Sequence, residues 1–311
     1  MRTRIAATLA AIVSLTGAVA GCGTTAGNDD DTLTIVASFY PLQYVAERLA
    51  GEGATVTNLT RPGVEPHDLE LTPEQVATVT EADLLVYLKG FQPAVDTAAA
   101  EHLPEPSRGY DVTRAQPLRD APEEGHDEHS DDGHGHESHA KDPHLWLDPI
   151  RYGDLAQALA RKLGAIDPEH KADYAARADT FGKELKKLDG EYDTGLADCQ
   201  RREIVVSHAA FGYLTARYDL EQIAIAGLSP EQEPNPKRLA ELADLVRKHG
   251  VTVIFYETLA SPRIAETVAD EAGVEAKPLD PLEGLKSGSS DDYFSVMRRN
   301  LASVRTALDC S

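Results

Sequence analysis

The chain has 311 residues, and its hydrophobic fraction of 41% excludes a chain that is disordered throughout. At roughly 100–200 residues per domain, this length predicts two domains. There are 52 acidic and 30 basic side chains, which gives a formal net charge of −22. This acidic balance argues against nucleic acid and anionic lipid headgroups as partners, because both bind basic surfaces.

The N-terminus predicts export. Arg2 and Arg4 precede an uncharged apolar run that is shorter than the roughly 20 residues of a membrane-spanning helix. Small residues then lead to Cys22 and resemble the bacterial lipobox, in which the cysteine receives a lipid. We therefore expect residues 1–21 to be a lipoprotein signal peptide, Cys22 to be the lipidated N-terminus, and residues 22–31 to be a flexible tether.

Two cysteines remain once Cys22 is assigned to the lipid. Cys199 and Cys310 are then a pair in an oxidising compartment, which favours a disulfide over two free thiols. The chain has no CxxC pair, so we expect neither a cysteine zinc site nor a redox motif.

Strands and helices alternate in the N-terminal part of the chain. The predicted strands are residues 33–38, 54–60 and 84–88, and the predicted helices are residues 42–49 and 73–80. Such alternation predicts βαβ units and a parallel sheet.

Residues 120–141 interrupt this pattern with eight acidic side chains and no apolar periodicity. The segment also contains five histidines, His126, His129, His134, His136 and His139. We expect a disordered insertion in the first lobe, because it has nothing to bury. It is either a weak, multivalent zinc-binding loop or a solvated acidic insertion without a role in metal binding.

After the insertion the chain returns to ordered patterns. A helix is predicted over residues 152–163 and a longer one over residues 168–198, about 45 Å in length. Further strands are predicted over residues 203–207, 222–226, 251–256 and 275–279, with helices over residues 211–218, 236–249, 263–273 and 293–308. The predicted fold class is therefore α/β, with two lobes of parallel-type sheets (residues 32–165 and 199–311) joined by one long helix (residues 166–198).

Four polar side chains are candidates for a metal site. His67 lies just past the second predicted strand, His144 lies in an Asp-Pro-His-Leu-Trp run, and His208 and Asp280 directly follow strands. Open α/β sheets bind ligands beyond the carboxyl ends of their strands, so these residues could meet between the lobes. Three imidazoles and one carboxylate suit tetrahedral Zn²⁺ and leave little room for an activated water, which favours holding the ion over catalysis.

Each candidate also has an ordinary structural interpretation. A histidine after a strand is commonly a hydrogen-bonded structural residue, and an aspartate there commonly caps a helix or a turn. The enzyme alternative, a zinc hydrolase, lacks support because the chain has no HExxH, GxSxG or Walker motif. We therefore expect a protein without enzymatic activity.

Several ordered motifs together resemble one family. They are Ser-Phe-Tyr-Pro-Leu at 38–42, Pro-Gly-Val-Glu-Pro-His-Asp at 62–68, Asp-Pro-His-Leu-Trp-Leu-Asp-Pro at 142–149, Ser-His-Ala-Ala-Phe-Gly-Tyr at 207–213, Ser-Pro-Glu-Gln-Glu-Pro at 229–234 and Leu-Asp-Pro-Leu at 279–282. The chain resembles the metal-binding lipoproteins of bacterial ABC importers for zinc and manganese, in particular the ZnuA-like zinc branch. This resemblance implies that the long helix is a rigid connection between the lobes.

The resemblance also implies a ligand set for transported Zn²⁺, namely His67, His144, His208 and Asp280. Manganese members usually have a glutamate at the position of His208, so the histidine favours zinc. Some zinc members place a ligating glutamate immediately before the first histidine; Pro66 stands there, so the fourth ligand is Asp280, a glutamate or water. The candidates for orienting the imidazoles are Glu65, Asp68, Glu231 and Glu257.

The implied function is zinc capture and delivery. We expect a monomer that is lipid-anchored at the outer face of the cytoplasmic membrane and passes Zn²⁺ to an ABC permease and its ATPase. The alternatives are a manganese or iron component of the same kind of importer, and a surface adhesin or metal store without a permease partner.

Overall fold

The computed structural model describes residues 32–121, 140–230 and 234–311. The expected signal peptide, lipidated Cys22 and tether lie outside these ranges, as do Glu231 and the five histidines of the acidic insertion. Among the helices of the described ranges, none has both the length and the apolar character needed to cross a membrane.

The first sheet is parallel, with the strand order β2-β1-β3-β4. Its strands are β1 (Leu33–Ala37), β2 (Ala54–Asn58), β3 (Leu84–Tyr87) and β4 (Gly109–Asp111), and the helices that accompany them are α1 (Tyr40–Ala50), α2 (Pro73–Glu81) and α3 (Pro93–Glu101). β3 is apolar along its length because both faces of a parallel sheet are covered. Neither α3 nor β4 was among the predicted elements.

The second sheet repeats this arrangement, with the order β6-β5-β7-β8 and parallel pairing. Its strands are β5 (Glu203–Val206), β6 (Glu221–Ala224), β7 (Val253–Tyr256) and β8 (Glu275–Pro278). The helices that accompany these strands are α6 (Gly212–Arg217), α7 (Pro236–His249), α8 (Arg263–Ala272) and α9 (Tyr293–Leu308). In both sheets, the loops that follow the carboxyl ends of the strands are where open α/β folds bind ligands.

Along the chain, two helices come after the first sheet and before the second. They are α4 (Pro149–Ile166) and α5 (Lys171–Leu196). α5 has 26 residues and is therefore about 39 Å long. Its buried side chains recur at helical spacing, at Tyr174, Ala178, Phe181, Leu185, Leu188 and Tyr192. The two parallel sheets and this long helix confirm the predicted fold class, although the helix begins at Lys171, after a short 3-10 turn.

One hydrophobic core extends through both lobes. It contains Ile35 and Leu84 of the first sheet together with Ile204 and Phe255 of the second, and the buried face of α5 packs into it. Smaller clusters cover the opposite face of each sheet. Because the lobes share one packed interior, a wide opening between them would expose apolar surface to water.

The predicted disulfide is present. The sulfur atoms of Cys199 and Cys310 are bonded, and the two residues are 111 positions apart. Cys199 lies just after α5 and Cys310 just after α9, so the bond joins the beginning of the second lobe to its end.

Removal of this disulfide should destabilise the protein. For a closed loop of this size, the chain-entropy estimate is a loss of up to about 4.7 kcal/mol in the free energy of unfolding for the C199S/C310S variant. Urea unfolding of the variant and of the wild type, each with and without reductant, measures the loss. The reductant should lower the wild-type midpoint and leave the variant unchanged; equal midpoints for oxidised wild type and variant would contradict the expectation.

Candidate metal centre

His67 lies in the loop that follows β2. The side-chain amide of Gln92 donates to the carbonyl oxygen of Pro66 (3.2 Å) and to Oγ1 of Thr60 (3.1 Å), which ties this loop to the end of the first sheet. The edge of the Phe91 ring lies against the His67 ring, with 4.6 Å between the ring centroids. The imidazole is thus held by an aromatic contact on one side and points its Nε2 between the lobes.

His144 is oriented by Asp142, whose Oδ1 lies 2.8 Å from the ring Nδ1 and accepts a hydrogen bond from the backbone N–H of His144 (2.9 Å). With Nδ1 engaged, Nε2 is the nitrogen available to a ligand. The Asp142 carboxylate also approaches Gly212 so closely that a Cβ there would lie 2.6 Å from Oδ2, which explains the glycine.

Asp142 is the last residue of a short antiparallel pair that we call the insertion stem (residues 119–121 and 140–142). The backbone N–H of Asp142 donates to the carbonyl of Arg119 (3.0 Å), and that of Ala121 donates to the carbonyl of Ala140 (2.8 Å). The two ends of the acidic insertion are therefore paired directly beside the residue that orients His144.

His208 lies two residues after the end of β5 and is fully buried. Its Nδ1 is 3.2 Å from Oε2 of Glu257, which directly follows β7. The two atoms are close but lack hydrogen-bond alignment, so Nδ1 and both Glu257 oxygens have no hydrogen-bond partner among the described residues. A small rotation of either side chain would make the bond that fixes the ring.

The three imidazoles meet at Glu283. Its Oε1 lies 2.9 Å from Nε2 of His144, 3.2 Å from Nε2 of His208 and 3.4 Å from Nε2 of His67. One donor atom from each of the four residues lies within 4.8 Å of every other. The site thus joins two residues of the first lobe to two of the second.

Asp280 does not occupy the fourth position, which corrects our sequence-based expectation. Its Oδ2 accepts a hydrogen bond from the Thr258 hydroxyl (2.8 Å), and its Oδ1 accepts one from the backbone N–H of Leu282 (2.8 Å). Both oxygens are thus engaged, one by the loop after β7 and one by the loop after β8. The carboxylate that reaches the histidines is that of Glu283, three residues further on.

The turn between Asp280 and Glu283 accounts for this difference. Leu282 is fully buried and has a φ of 59°, in the left-handed region that a leucine rarely adopts. Asn300 of α9 holds the backbone of Asp280 on both sides, accepting from its N–H (3.1 Å) and donating to its carbonyl (2.7 Å). Asp280 therefore shapes the turn that aims Glu283, and no motif in the sequence signals such a turn.

The buried histidines and carboxylates of the site shift one another's pKa values. Burial disfavours the His144 imidazolium, but hydrogen bonds to Asp142 and Glu283 outweigh it and raise its pKa to about 9. Burial would raise the pKa of Glu283, yet the neighbouring histidines, His208 first among them, hold it well below its usual range. Burial lowers the pKa of His208. These shifts favour an ionised Glu283 and a protonated His144 in the metal-free protein.

The remaining candidates for orienting the imidazoles have different positions. Glu65 is half-buried and accepts a hydrogen bond from the backbone N–H of His67 (2.9 Å); burial and the charge of Glu283 raise its pKa to about 8. Burial and the charges of Glu283 and Glu65 raise the pKa of Glu257 to about 9. Asp68 is exposed.

The donor set is that of a divalent cation site. Bonds of about 2.0–2.1 Å to a tetrahedral ion place neighbouring donor atoms about 3.3 Å apart. The distances from Glu283 Oε1 to the imidazole nitrogens, 2.9 to 3.4 Å, are close to this spacing. Fold and site together define a two-lobed α/β metal-binding protein.

Comparison with known proteins places the chain within this class. Residues 35–307 match the family model of the periplasmic zinc-uptake complex component A, ZnuA, and the chain belongs to this family. The recognition made from the sequence motifs is thereby confirmed.

Individual relatives are similar over most of this chain. The zinc-binding protein AdcA of Streptococcus pyogenes serotype M6 is 34% identical over 293 residues, which cover 88% of this chain and 56% of AdcA. The high-affinity zinc uptake system protein ZnuA of Bacillus subtilis is 34% identical over 299 residues, 93% of each protein. The Zn(II)-bound ZnuA-like domain of Streptococcus pneumoniae AdcA superposes with a TM-score of 0.74 at 32% identity, covering 89% of this chain and 99% of that domain. The chain thus spans just over half the length of the AdcA relative.

The metal-free protein should lose stability as the pH rises from about 6.5 to about 9. His144 has a pKa of about 9 in the folded protein and of about 6.5 in an unfolded chain. Its protonation stabilises the fold fully below the lower value, and this contribution disappears as the pH passes the upper one. The raised pKa values of Glu65 and Glu257 act in the same direction, because the folded state again binds more protons.

Thermal unfolding in the presence of a chelator measures this dependence. The H144Q variant should have a smaller slope, by at most about 1.4 kcal/mol per pH unit for one proton. H102Q is the matched control, since His102 is exposed, and it should keep the wild-type slope. Constant or rising wild-type stability across this pH range would show that the protonation state is assigned wrongly.

Proposed function

We propose that this protein is the high-affinity zinc-binding component of an ABC-type importer, which captures Zn²⁺ between its lobes and delivers it to a membrane permease. His67, His144, His208 and Glu283 are the proposed ligands, with Zn²⁺ as the transported cargo. The observation that carries the proposal is the convergence of three imidazole nitrogens on one oxygen of Glu283. The zinc-binding names of the relatives support the choice of metal.

The ligand chemistry favours zinc over manganese. Nitrogen-rich, four-coordinate sites suit Zn²⁺, whereas Mn²⁺ is commonly held by more oxygen ligands in octahedral geometry. His208 supplies a third imidazole, and Asp280, which could add an oxygen, is engaged by Thr258 and Leu282. This arrangement supports zinc as the cargo rather than manganese or iron.

The same chemistry favours holding the ion over using it in catalysis. Catalytic zinc keeps a position for water, whereas the four protein donors here would fill the coordination shell of a tetrahedral ion. Three of the four proposed ligands are also nearly inaccessible, because the side chains of His144, His208 and Glu283 are at most 1% exposed. These features support a binding protein without enzymatic activity, in agreement with a family of transport proteins.

Delivery requires only small rearrangements of the two lobes. Trp146 of the first lobe donates from Nε1 to the carbonyl of Pro281 in the second (2.8 Å), and Tyr293 of α9 donates to the carbonyl of Trp146 (2.7 Å). These bonds join the lobes beside the continuous core, so a wide opening of the lobes would cost more than a small local rearrangement. We propose release through the loop of Glu283 when the protein binds its permease.

Location and partners complete the proposal. The protein is a monomer, anchored through lipidated Cys22 at the outer face of the cytoplasmic membrane, and its partners are an ABC permease and its ATPase. The support comes from the sequence of the N-terminus and from relatives that are named zinc uptake components. The expected weak binding of zinc by the histidines of the insertion is a separate proposal, which concerns residues outside the described ranges.

Metal analysis tests the assignment of cargo. Protein purified from medium with equal Zn²⁺, Mn²⁺ and Fe²⁺ should contain zinc in the cleft, and deletion of residues 122–139 removes the contribution of the insertion from the count. We expect one tightly bound Zn²⁺ per chain. We also expect that a strain lacking the whole protein fails to grow at limiting zinc. Bound manganese or iron would overturn the zinc assignment, and normal growth of the deletion strain would favour an adhesin or a metal store.

The roles of Glu283 and Asp280 can be separated by substitution. E283A removes the proposed anionic ligand, so zinc affinity should fall strongly and the visible spectrum of the Co²⁺-substituted protein should change. D280A disturbs only the turn that aims Glu283, so affinity should fall about 10- to 100-fold while the Co²⁺ spectrum remains that of the wild type. A changed spectrum for D280A together with an unchanged one for E283A would exchange the two assignments.

A further inference from the structure

The turn that carries Glu283 has a strained backbone. Leu282, the residue immediately before Glu283, is fully buried and has a φ of 59°. This left-handed conformation costs free energy for a residue that has a Cβ, and it persists only where the surrounding structure holds it. The position of the Glu283 carboxylate therefore depends on the contacts that keep the turn in place.

The peptide group between Pro281 and Leu282 is held at both of its polar atoms. Oδ1 of Asp280 accepts a hydrogen bond from the N–H of Leu282 (2.8 Å). The indole N–H of Trp146 donates to the carbonyl of Pro281 (2.8 Å). Because a trans peptide group is planar and its N–H and C=O point in opposite directions, these two bonds together fix its orientation. One of them is local, and the other comes from the first lobe.

Trp146 is itself held firmly beside another proposed ligand. It lies two residues after His144 and is 1% exposed. Its backbone carbonyl accepts a hydrogen bond from the hydroxyl of Tyr293 (2.7 Å), and its ring packs edge-on against the His144 ring, with 5.3 Å between the centroids. The segment that carries His144 thus also holds the turn of Glu283, through a single hydrogen bond.

We propose that Trp146 is a positioning residue of the zinc site, whose indole N–H holds the turn of Glu283 from the opposite lobe. Trp146 does not bind the ion; it keeps Oε1 of Glu283 at the spacing from the imidazoles that Zn²⁺ requires. This inference rests on the proposed function, because it concerns the ligands of the proposed cargo. Without the bond, the buried carbonyl of Pro281 loses its donor, and the turn relaxes and carries Glu283 away from the histidines.

Two replacements of Trp146 in the full chain test this role. W146F removes the indole N–H and keeps an aromatic ring. Benzothienylalanine, in which sulfur takes the place of the indole nitrogen, removes the N–H and keeps the shape of the side chain. Trp146 is the only tryptophan of the chain, so this analogue can be introduced at this position alone. The matched control is Y192F, which removes a fully buried hydrogen bond to the backbone carbonyl of Met297 (2.6 Å) that involves no proposed ligand.

Competition with a chelator gives the Zn²⁺ dissociation constant of each protein. Both replacements of Trp146 should raise it about 10- to 100-fold, as is typical when a residue that orients a metal ligand is lost. Y192F should change it by less than about twofold, because its effect on stability is independent of the site. An unchanged dissociation constant for either replacement of Trp146 would overturn the proposal.

The E283A background shows which ligand Trp146 acts through. Where no Glu283 remains to be placed, W146F should change the dissociation constant by less than about twofold. A loss as large as in the wild-type background would show that Trp146 acts through His144 or through general weakening of the fold, and the proposal would fail. A wild-type protein that binds no Zn²⁺ would instead reject the proposed function itself.

Discussion

Burying the carboxylate of Glu283 away from water costs free energy, which charged or hydrogen-bonding partners must offset. Three imidazoles provide these partners, two from the first lobe and one from the second. The fold brings them together because His67 and His208 follow strands whose carboxyl ends face the same crevice. This one requirement explains why the loops around the site are so heavily hydrogen-bonded: each must hold a side chain at a fixed place outside any helix or strand.

The shared core sets how such a site can operate. Many two-lobed binding proteins close around a ligand by hinge motion, but here the lobes are packed onto one interior and onto the same long helix, α5. Discrimination between ions therefore depends on the positions of the four donors and less on how far the lobes close. Binding is also linked to pH. The raised pKa of His144 favours its protonated form, and an arriving ion must displace that proton.

Strongly periodic or strongly apolar segments could be predicted from the sequence. The helices 236–249 and 293–308 have the predicted bounds, since Asn235 and Asp292 cap their first turns. α3 and β4 could not be found, because a run of small residues and a three-residue strand carry little periodic signal. Their positions depend on contacts with the rest of the sheet.

The site shows the same limit. His67, His144 and His208 could be selected because strand ends and motif spacing place them near one crevice. The choice between Asp280 and Glu283 depended on the left-handed backbone of Leu282. This backbone is held by the hydrogen bond that the Asp280 carboxylate accepts from the Leu282 N–H, and by the bond of Asp280 to Asn300 of α9. A leucine gives no sign of that conformation, whereas a glycine would have. The only sequence signal for Glu283 was a second carboxylate in the loop after β8.

The insertion stem has a consequence for how this protein can vary. Because residues 119–121 pair with residues 140–142, the two ends of the inserted segment are adjacent before the segment begins. Each doubling of the length between such ends adds only about 0.6 kcal/mol of loop-closure free energy. Segments of quite different size and composition can thus be exchanged at this place while Asp142 keeps its hold on His144, which makes the stem a natural position for grafting a reporter domain.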